Sequence, residues 1–261
     1  MQITVRHWVA AGVGFVVTVL AFFAWSYRAQ APSPAEVPDI TASSTGNGTP
    51  ATTTTVVYTG PFPINSADTI VSWSFKGAYT GNEALIAKAN ADTVYLMGLI
   101  GKGEYDDYDL YLGIGNNESS LGDGKSAYDN YNRAIQIHPK KGLAFVNLGH
   151  LMSQMGARYT AVDAYARATA VEPGMLEYHI QRLNYLTRQF PNDSARIASA
   201  IADVSKVFGD TAQILSIKAQ WLTGLTRYAD AISAWETVKM LSPGKDTAAI
   251  DAEIARLQAK Q

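Results

Sequence analysis

The distribution of apolar and polar positions divides the chain into three parts. Trp8 to Tyr27, WVAAGVGFVVTVLAFFAWSY, is a run of 20 residues without a charge. As a helix it would be about 30 Å long, the thickness of a bilayer's hydrocarbon core. Trp8, Trp25 and Tyr27 sit where interfacial anchors belong, and Arg6 and Arg28 bracket the run. The pattern predicts a transmembrane helix over 8–27 behind a short tail, 1–7. A cleaved signal peptide is the competing reading, since Ala29-Gln30-Ala31 has the small-residue cleavage pattern. Against it, the run exceeds the usual apolar core of about 7–15 residues, and Pro32 would follow the cut. The small basic excess at the N-terminal flank orients the N-terminus to the cytoplasm and the remainder outside.

Residues 28–59 are rich in Pro, Ser, Thr, Ala and Gly and poor in large apolar groups until Val56. Such a stretch cannot bury enough surface to offset its chain entropy, and reads as a disordered linker. Pro32, Pro34 and Pro38 stiffen its start. Asn47-Gly48-Thr49 matches a glycosylation sequon, for which a chance match is the simpler explanation. Residues 60–105 read as a capping segment. Within it a helix is expected over about 82–100, with Leu85, Ile86, Ala89, Val94, Leu96 and Leu99 as its apolar side. Thr69 to Phe75 alternates Val71, Trp73 and Phe75, which fits a short strand or a helical turn docking those aromatics.

From residue 106 onward the pattern repeats. Pro139 and Pro173 are 34 residues apart, and aligning on them superposes 108–141 on 142–175. Tyr111 falls on Phe145, Ile114 on Leu148, Gly115 on Gly149 and Gly122 on Gly156. Ala127 falls on Ala161, Tyr131 on Tyr165, Ala134 on Ala168, and Ile137 on Val171. Each unit reads as two antiparallel helices. The small residues let the helices approach, the tyrosines fill the space between units, the later glycines suit a turn, and the prolines stop the second helix. No such unit buries its apolar face alone, so the units must stack.

This order of aromatic, aliphatic-Gly, Ala, aromatic, Ala and Pro resembles the tetratricopeptide repeat (TPR). The resemblance implies an all-α fold, a right-handed α-α superhelix of helical hairpins. It extends to a unit at 212–245, with Ala219, Ala231, Trp235, Val238 and Pro243 at the corresponding positions. The intervening unit, 176–211, is divergent: its helices read as Leu176–Gln189 and 194–207, and Ser199 stands at its aromatic position. Ile250, Ile254 and Leu257 mark a C-terminal capping helix over about 247–260.

Composition narrows the function. With 21 Lys+Arg against 23 Asp+Glu, no general field draws the chain to nucleic acid. The absence of cysteine excludes disulfides, thiol catalysis, cysteine-ligated metals and a lipid-bearing N-terminal cysteine, so attachment to a membrane is expected through the helix. No P-loop, zincin, nucleophile-elbow or kinase motif is present, and neither an enzyme nor a cofactor is expected. Glu104, Asp106, Asp107 and Asp109 form an acidic cluster without EF-hand spacing. Asp106 or Asp107 is better read as an N-cap. No metal site is expected, and the four histidines lie far apart.

The family resemblance implies a site. In TPR proteins the first helix of each unit lines a concave groove that holds an extended peptide or a partner helix. Asn116, His150, Asn184 and Gln220 are the ninth residues of the four units, and Asn147 and Gln181 the sixth residues of the second and third. This row could pair with both backbone groups of a ligand; the plainer reading is solvated polar positions. Leu112, Glu177 and Gln181 stand where the family's carboxylate clamp has basic residues, so chaperone tails are not the expected partner. The function expected is a membrane-anchored protein-protein interaction scaffold, with no small-molecule substrate. The alternatives are an envelope assembly or quality-control factor, or an accessory repeat subunit of an enzyme complex.

Overall fold

The computed structural model describes residues 61–244 and 247–261. The transmembrane helix at 8–27 and the linker at 28–59 lie outside the described residues. Among those described, no helix is long and apolar enough to cross a membrane.

The described chain is all-α. Its helices are α1 Glu83–Met97, α2 Asp107–Leu121, α3 Gly124–Ile137, α4 Leu143–Gln154, α5 Arg158–Val171, α6 Leu176–Gln189, α7 Ser194–Phe208, α8 Ala212–Gly224, α9 Tyr228–Met240 and α10 Ala248–Gln258. Each packs mainly on its neighbours in sequence, giving hairpins α2–α3, α4–α5, α6–α7 and α8–α9. First helices also touch first helices, α2 on α4 and α6 on α8. The second helix of the third hairpin, α7, makes the least of this packing, and Ser199 on it is exposed where Tyr131 and Tyr165 are buried in the earlier hairpins.

The hairpins close through the small residues. A Cβ built on Gly115 would lie 2.5 Å from Cε1 of Tyr131, and one on Gly149 would lie 3.0 Å from Cε1 of Tyr165. Each glycine thus lets a tyrosine of the facing helix lie against backbone. Gly122 and Gly156 turn the chain into the second helix in the left-handed region, at φ 89° and 76°. In the fourth hairpin the same turn position is Thr226, at φ 58°.

Local caps set the boundaries. Asp106, not Asp107, caps α2, accepting from the Tyr108 amide at 3.0 Å. Its second oxygen receives His138 at 2.9 Å and Lys141 at 3.0 Å. Partial burial pushes this carboxyl up, and the Tyr108 amide, Lys141 and His138 together outweigh it, leaving the pKa below its ordinary value. Asp107 instead accepts from the Gly101 amide at 2.9 Å. The acidic cluster therefore caps and braces a helix, and no metal-binding group is found among the described residues. Asp193 caps α7 and Thr211 caps α8.

Two expectations are corrected. The apolar side of α1 is formed by Leu85, Ile86, Ala89 and Leu96 with Thr93; Val94 is 72% exposed. At 100° per residue, Val94 falls on the opposite side from Ala89 and Leu96. Residues 61–81 form neither a regular strand nor a helix, but an irregular strap with turns at 66–67 and 78–81 and one isolated bridge, Ser74 to Asp123. The strap does dock its aromatics. Phe62 is buried, its amide donates to the Asn132 side chain, and its carbonyl accepts from the Tyr128 hydroxyl. Trp73 packs on Tyr128 with ring centroids 5.2 Å apart. Gly77 and Gly122 allow the strap to lie against the end of α2, since a Cβ on either would lie 2.2 Å from a carbonyl oxygen of the other segment, Ser120 or Phe75.

One strap contact replaces a missing cap. The N-cap position of helix α5 is Ala157, whose methyl side chain cannot accept from the helix's free amides. Asp68, 92 residues before Thr160, takes that part: its carboxylate accepts from the amides of Tyr159 at 3.2 Å and Thr160 at 2.6 Å, and from the Thr160 hydroxyl at 2.7 Å.

Candidate functional site

The first helices place the ninth residue of a hairpin beside the sixth residue of the next. Nδ2 of Asn147 donates to Oδ1 of Asn116 at 3.0 Å. The Tyr131 hydroxyl donates to the same oxygen at 2.9 Å. One hairpin on, both contacts recur with different chemistry. Nε2 of His150 lies 2.7 Å from Oε1 of Gln181, and the Tyr165 hydroxyl lies 2.9 Å from Nδ1 of His150. Gln181 then donates through Nε2 to the Glu177 carboxylate at 3.1 Å.

One proton arrangement satisfies the second rung. The Tyr165 hydroxyl donates to Nδ1, Nε2–H donates to the Gln181 oxygen, and the imidazole is neutral. The electrostatics agree. Although His150 as a residue is exposed, the loss of water around its ring lowers the pKa. The positive charge of Arg188 lowers it further, against the Gln181 bond and Glu177. Burial raises the pKa of both tyrosines, so the hydroxyls remain donors.

The ladder stops after two rungs. The sixth residue of the fourth hairpin is Ile217, which offers no amide to Asn184. Here an open cleft of about 470 Å³ lies between α6 and α8, walled by Asn184, Arg188, Pro191, Ile217, Gln220 and Trp221. Asn116 also borders a second cleft of about 360 Å³, against Asp92, Tyr95 and Leu96 of α1.

The six residues singled out from sequence thus fall into two groups. Asn116, Asn147, His150 and Gln181 are joined in the ladder, and much of their bonding capacity is used on one another. The Asn116 NH2 and the Asn147 oxygen have no protein partner among the described residues. Asn184 and Gln220 line the cleft instead. Sequence reasoning passed over Arg188 and read Glu177 only as a departure from the carboxylate clamp, although their spacing of four from Asn184 and Gln181 puts them on the same helix face. It gave Tyr131 and Tyr165 only a packing role.

These features define an all-α protein of repeated helical hairpins whose first helices carry a polar ladder and an open cleft. No protein-family model matches the chain. It is similar to the cytochrome c-type biogenesis protein CcmH of Escherichia coli (strain K12) and to that of Shigella flexneri, each 27% identical over 125 residues, covering 47% of this chain and 36% of the relative. The match therefore spans only about a third of the length of those relatives. Among solved structures it is similar to a thermophilic TPR protein of Thermus thermophilus, with a TM-score of 0.43, 14% identity, and coverage of 68% of this chain and 94% of that one.

Proposed function

We propose that the chain is a membrane-anchored TPR scaffold that binds a segment of another protein along the face of its first helices, without catalytic activity of its own. The observation that carries this reading is the alignment on one face of the Asn116–Asn147 and His150–Gln181 rungs with the α6–α8 cleft. The ladder fixes amide groups in orientation while leaving the Asn116 donor and the Asn147 acceptor unspent, the combination that reads an extended backbone. The anchor is the apolar run at 8–27, with the hairpins outside the cytoplasm.

The test is site-specific photocrosslinking in cells. A photoreactive residue at Asn147 or His150 should capture a discrete partner protein. Capture confined to probes on the second helices would overturn the reading. Protease added to intact spheroplasts should remove the hairpin domain; protection until the membrane is broken would reverse the topology.

The relatives' name favours one setting for this scaffold. A role in the assembly of c-type cytochromes would make it an envelope assembly factor, serving as an accessory subunit rather than as the enzyme. Deleting the chain should then lower haem-stained c-type cytochromes in membranes. Unchanged levels would remove this setting and leave the scaffold reading in place.

A further inference from the structure

The cleft between α6 and α8 holds a cation that no carboxylate of the described chain answers. Arg182, Arg196, Arg227 and Arg256 each lie within ion-pair distance of an acidic side chain. Arg188 does not. Its Nε donates to the backbone carbonyl of Asn184 at 3.0 Å, which orients the guanidinium along its own helix and leaves the two terminal nitrogens unspent. That fork is the geometry that takes a carboxylate through two parallel bonds. Arg188 also lies close enough to His150 and Tyr165 to act on both electrostatically, so the cation belongs to the same face as the ladder.

Beside the cation the cleft has an apolar patch among polar groups. Trp221 is buried, and its indole is pinned by a bond from Nε1 to the Pro191 carbonyl at 2.8 Å. Ile217 stands half-buried next to it. Asn184 and Gln220 bring side-chain amides with no protein partner among the described residues. The space, about 470 Å³, is within the range of sites that take a few side chains.

We propose that this cleft receives an acidic peptide segment of the partner, with one Asp or Glu carboxylate on Arg188 and a neighbouring large apolar side chain over Ile217 and Trp221. The single guanidinium matches one carboxylate. A phosphate, with nearly twice the charge, would leave much of it unanswered here. Asn184 and Gln220 take the backbone of that segment. The proposal rests on the first-helix reading above and adds the chemistry of what binds.

The test uses the full chain in detergent and fluorescence anisotropy with end-blocked, labelled peptides of sequence Gly-Ser-Leu-Glu-Ser-Gly and Gly-Ser-Leu-Gln-Ser-Gly. The Glu peptide should bind at least five-fold more tightly, with a preference that shrinks in high salt. Arg188→Gln should erase the preference, and Arg188→Lys should keep only part of it. Equal binding of the two peptides, a preference that survives Arg188→Gln, or no binding of either at millimolar concentration overturns the proposal. So does a phosphoserine peptide binding more than ten-fold tighter than the Glu peptide, which would make the cleft a phosphopeptide site. In each of these cases, partner capture from Asn147 or His150 would leave the scaffold reading intact.

Discussion

The carboxamide oxygen of Gln181 lies 2.7 Å from Nε2 of His150, and this contact repeats, 34 residues on, the bond between Asn147 and Asn116. Two different residue pairs thus perform one task at equivalent positions: they tie a hairpin to the next one across the first-helix face. The bond should be measurable as a coupling. In a double-mutant cycle, His150→Ala and Gln181→Ala are expected to couple by about 0.5–1.5 kcal/mol in denaturant unfolding. Asn116→Ala and Asn147→Ala should couple similarly. Strictly additive losses in both cycles would mean that the ladder contributes nothing between hairpins.

What could be read from the sequence followed from the range of each interaction. Gly115 with Tyr131, and Gly149 with Tyr165, are separated by half a repeat and recur in register, so their packing was legible from periodicity. So was the polar row on the first helices. Its internal bonding was not, because whether Asn116 faces a ligand or Asn147 depends on how two hairpins stack. The bond from Asp68 to Thr160 had no periodic signal at all. It spans 92 residues, and only the absence of a capping side chain at Ala157 hinted that α5 needed an outside acceptor. Val94 was misplaced because α1 is apolar on more than one side, leaving the pattern without a single preferred face.

The two packing glycines should not tolerate alanine equally. Alanine ordinarily gains about 1 kcal/mol over glycine within a helix. At Gly115 the new methyl would meet the buried Tyr131 ring at 2.5 Å, a clash that only a substantial shift of ring or helix relieves. Gly115→Ala is expected to destabilise by roughly 1–3 kcal/mol through overpacking. At Gly149 the closest approach is 3.0 Å, so a small shift of Tyr165 suffices and the change should come near to neutral. Thermal unfolding of the two variants side by side decides it; equal effects would show that both rings yield alike.

Asp68 caps a helix to which it does not belong, and its removal should have two consequences. Asp68→Ala leaves the Tyr159 and Thr160 amides without their acceptor, at a cost of about 1–2 kcal/mol. It also unfastens the strap between Phe62 and Trp73. Hydrogen exchange should therefore rise both in the first turn of α5 and across residues 62–73. Asp68→Asn, which keeps an acceptor oxygen but no charge, should fall in between. Faster exchange in α5 with an unchanged strap would mean that the aromatic contacts alone hold the strap.

Two histidines make the domain sensitive to mild acid. Loss of water lowers the pKa of both His150 and His179; hydrogen bonds to Gln181 and to the Pro173 carbonyl oppose it, Arg188 and Arg182 add to the lowering, and Glu177 and Asp203 oppose it more weakly. In each case the folded pKa lies below the unfolded one. Stability is therefore full above the ordinary imidazole range. Below about pH 6.5 the unfolded chain takes up protons that the folded chain refuses, and stability falls until the pH passes below the folded values. Asp106, whose folded pKa is depressed, adds a separate loss only in the carboxylate range. Tm measured from pH 8 to pH 5 should decline in the lower half of that interval, and His150→Gln should lessen the decline. A Tm constant from pH 7 to pH 5 would show that neither ring resists protonation.

Thr226 occupies the turn position that Gly122 and Gly156 hold in the first two hairpins. All three are left-handed, but only Thr226 carries a branched Cβ there, at φ 58°. A non-glycine residue in that region bears roughly 1–2 kcal/mol of strain, and β-branching places it at the unfavourable end. No side-chain hydrogen bond of Thr226 offsets this among the described residues. Thr226→Gly relieves the strain but gives the unfolded chain more freedom, which takes back about 0.5–1 kcal/mol. The net expectation is a gain of up to about 1 kcal/mol, visible as a raised denaturant midpoint at unchanged slope. Thr226→Asn, which tolerates the left-handed region with less added freedom, should gain as well. Thr226→Val, equally branched, should gain nothing, and a rise in that variant would show that the hydroxyl rather than the backbone carries the cost.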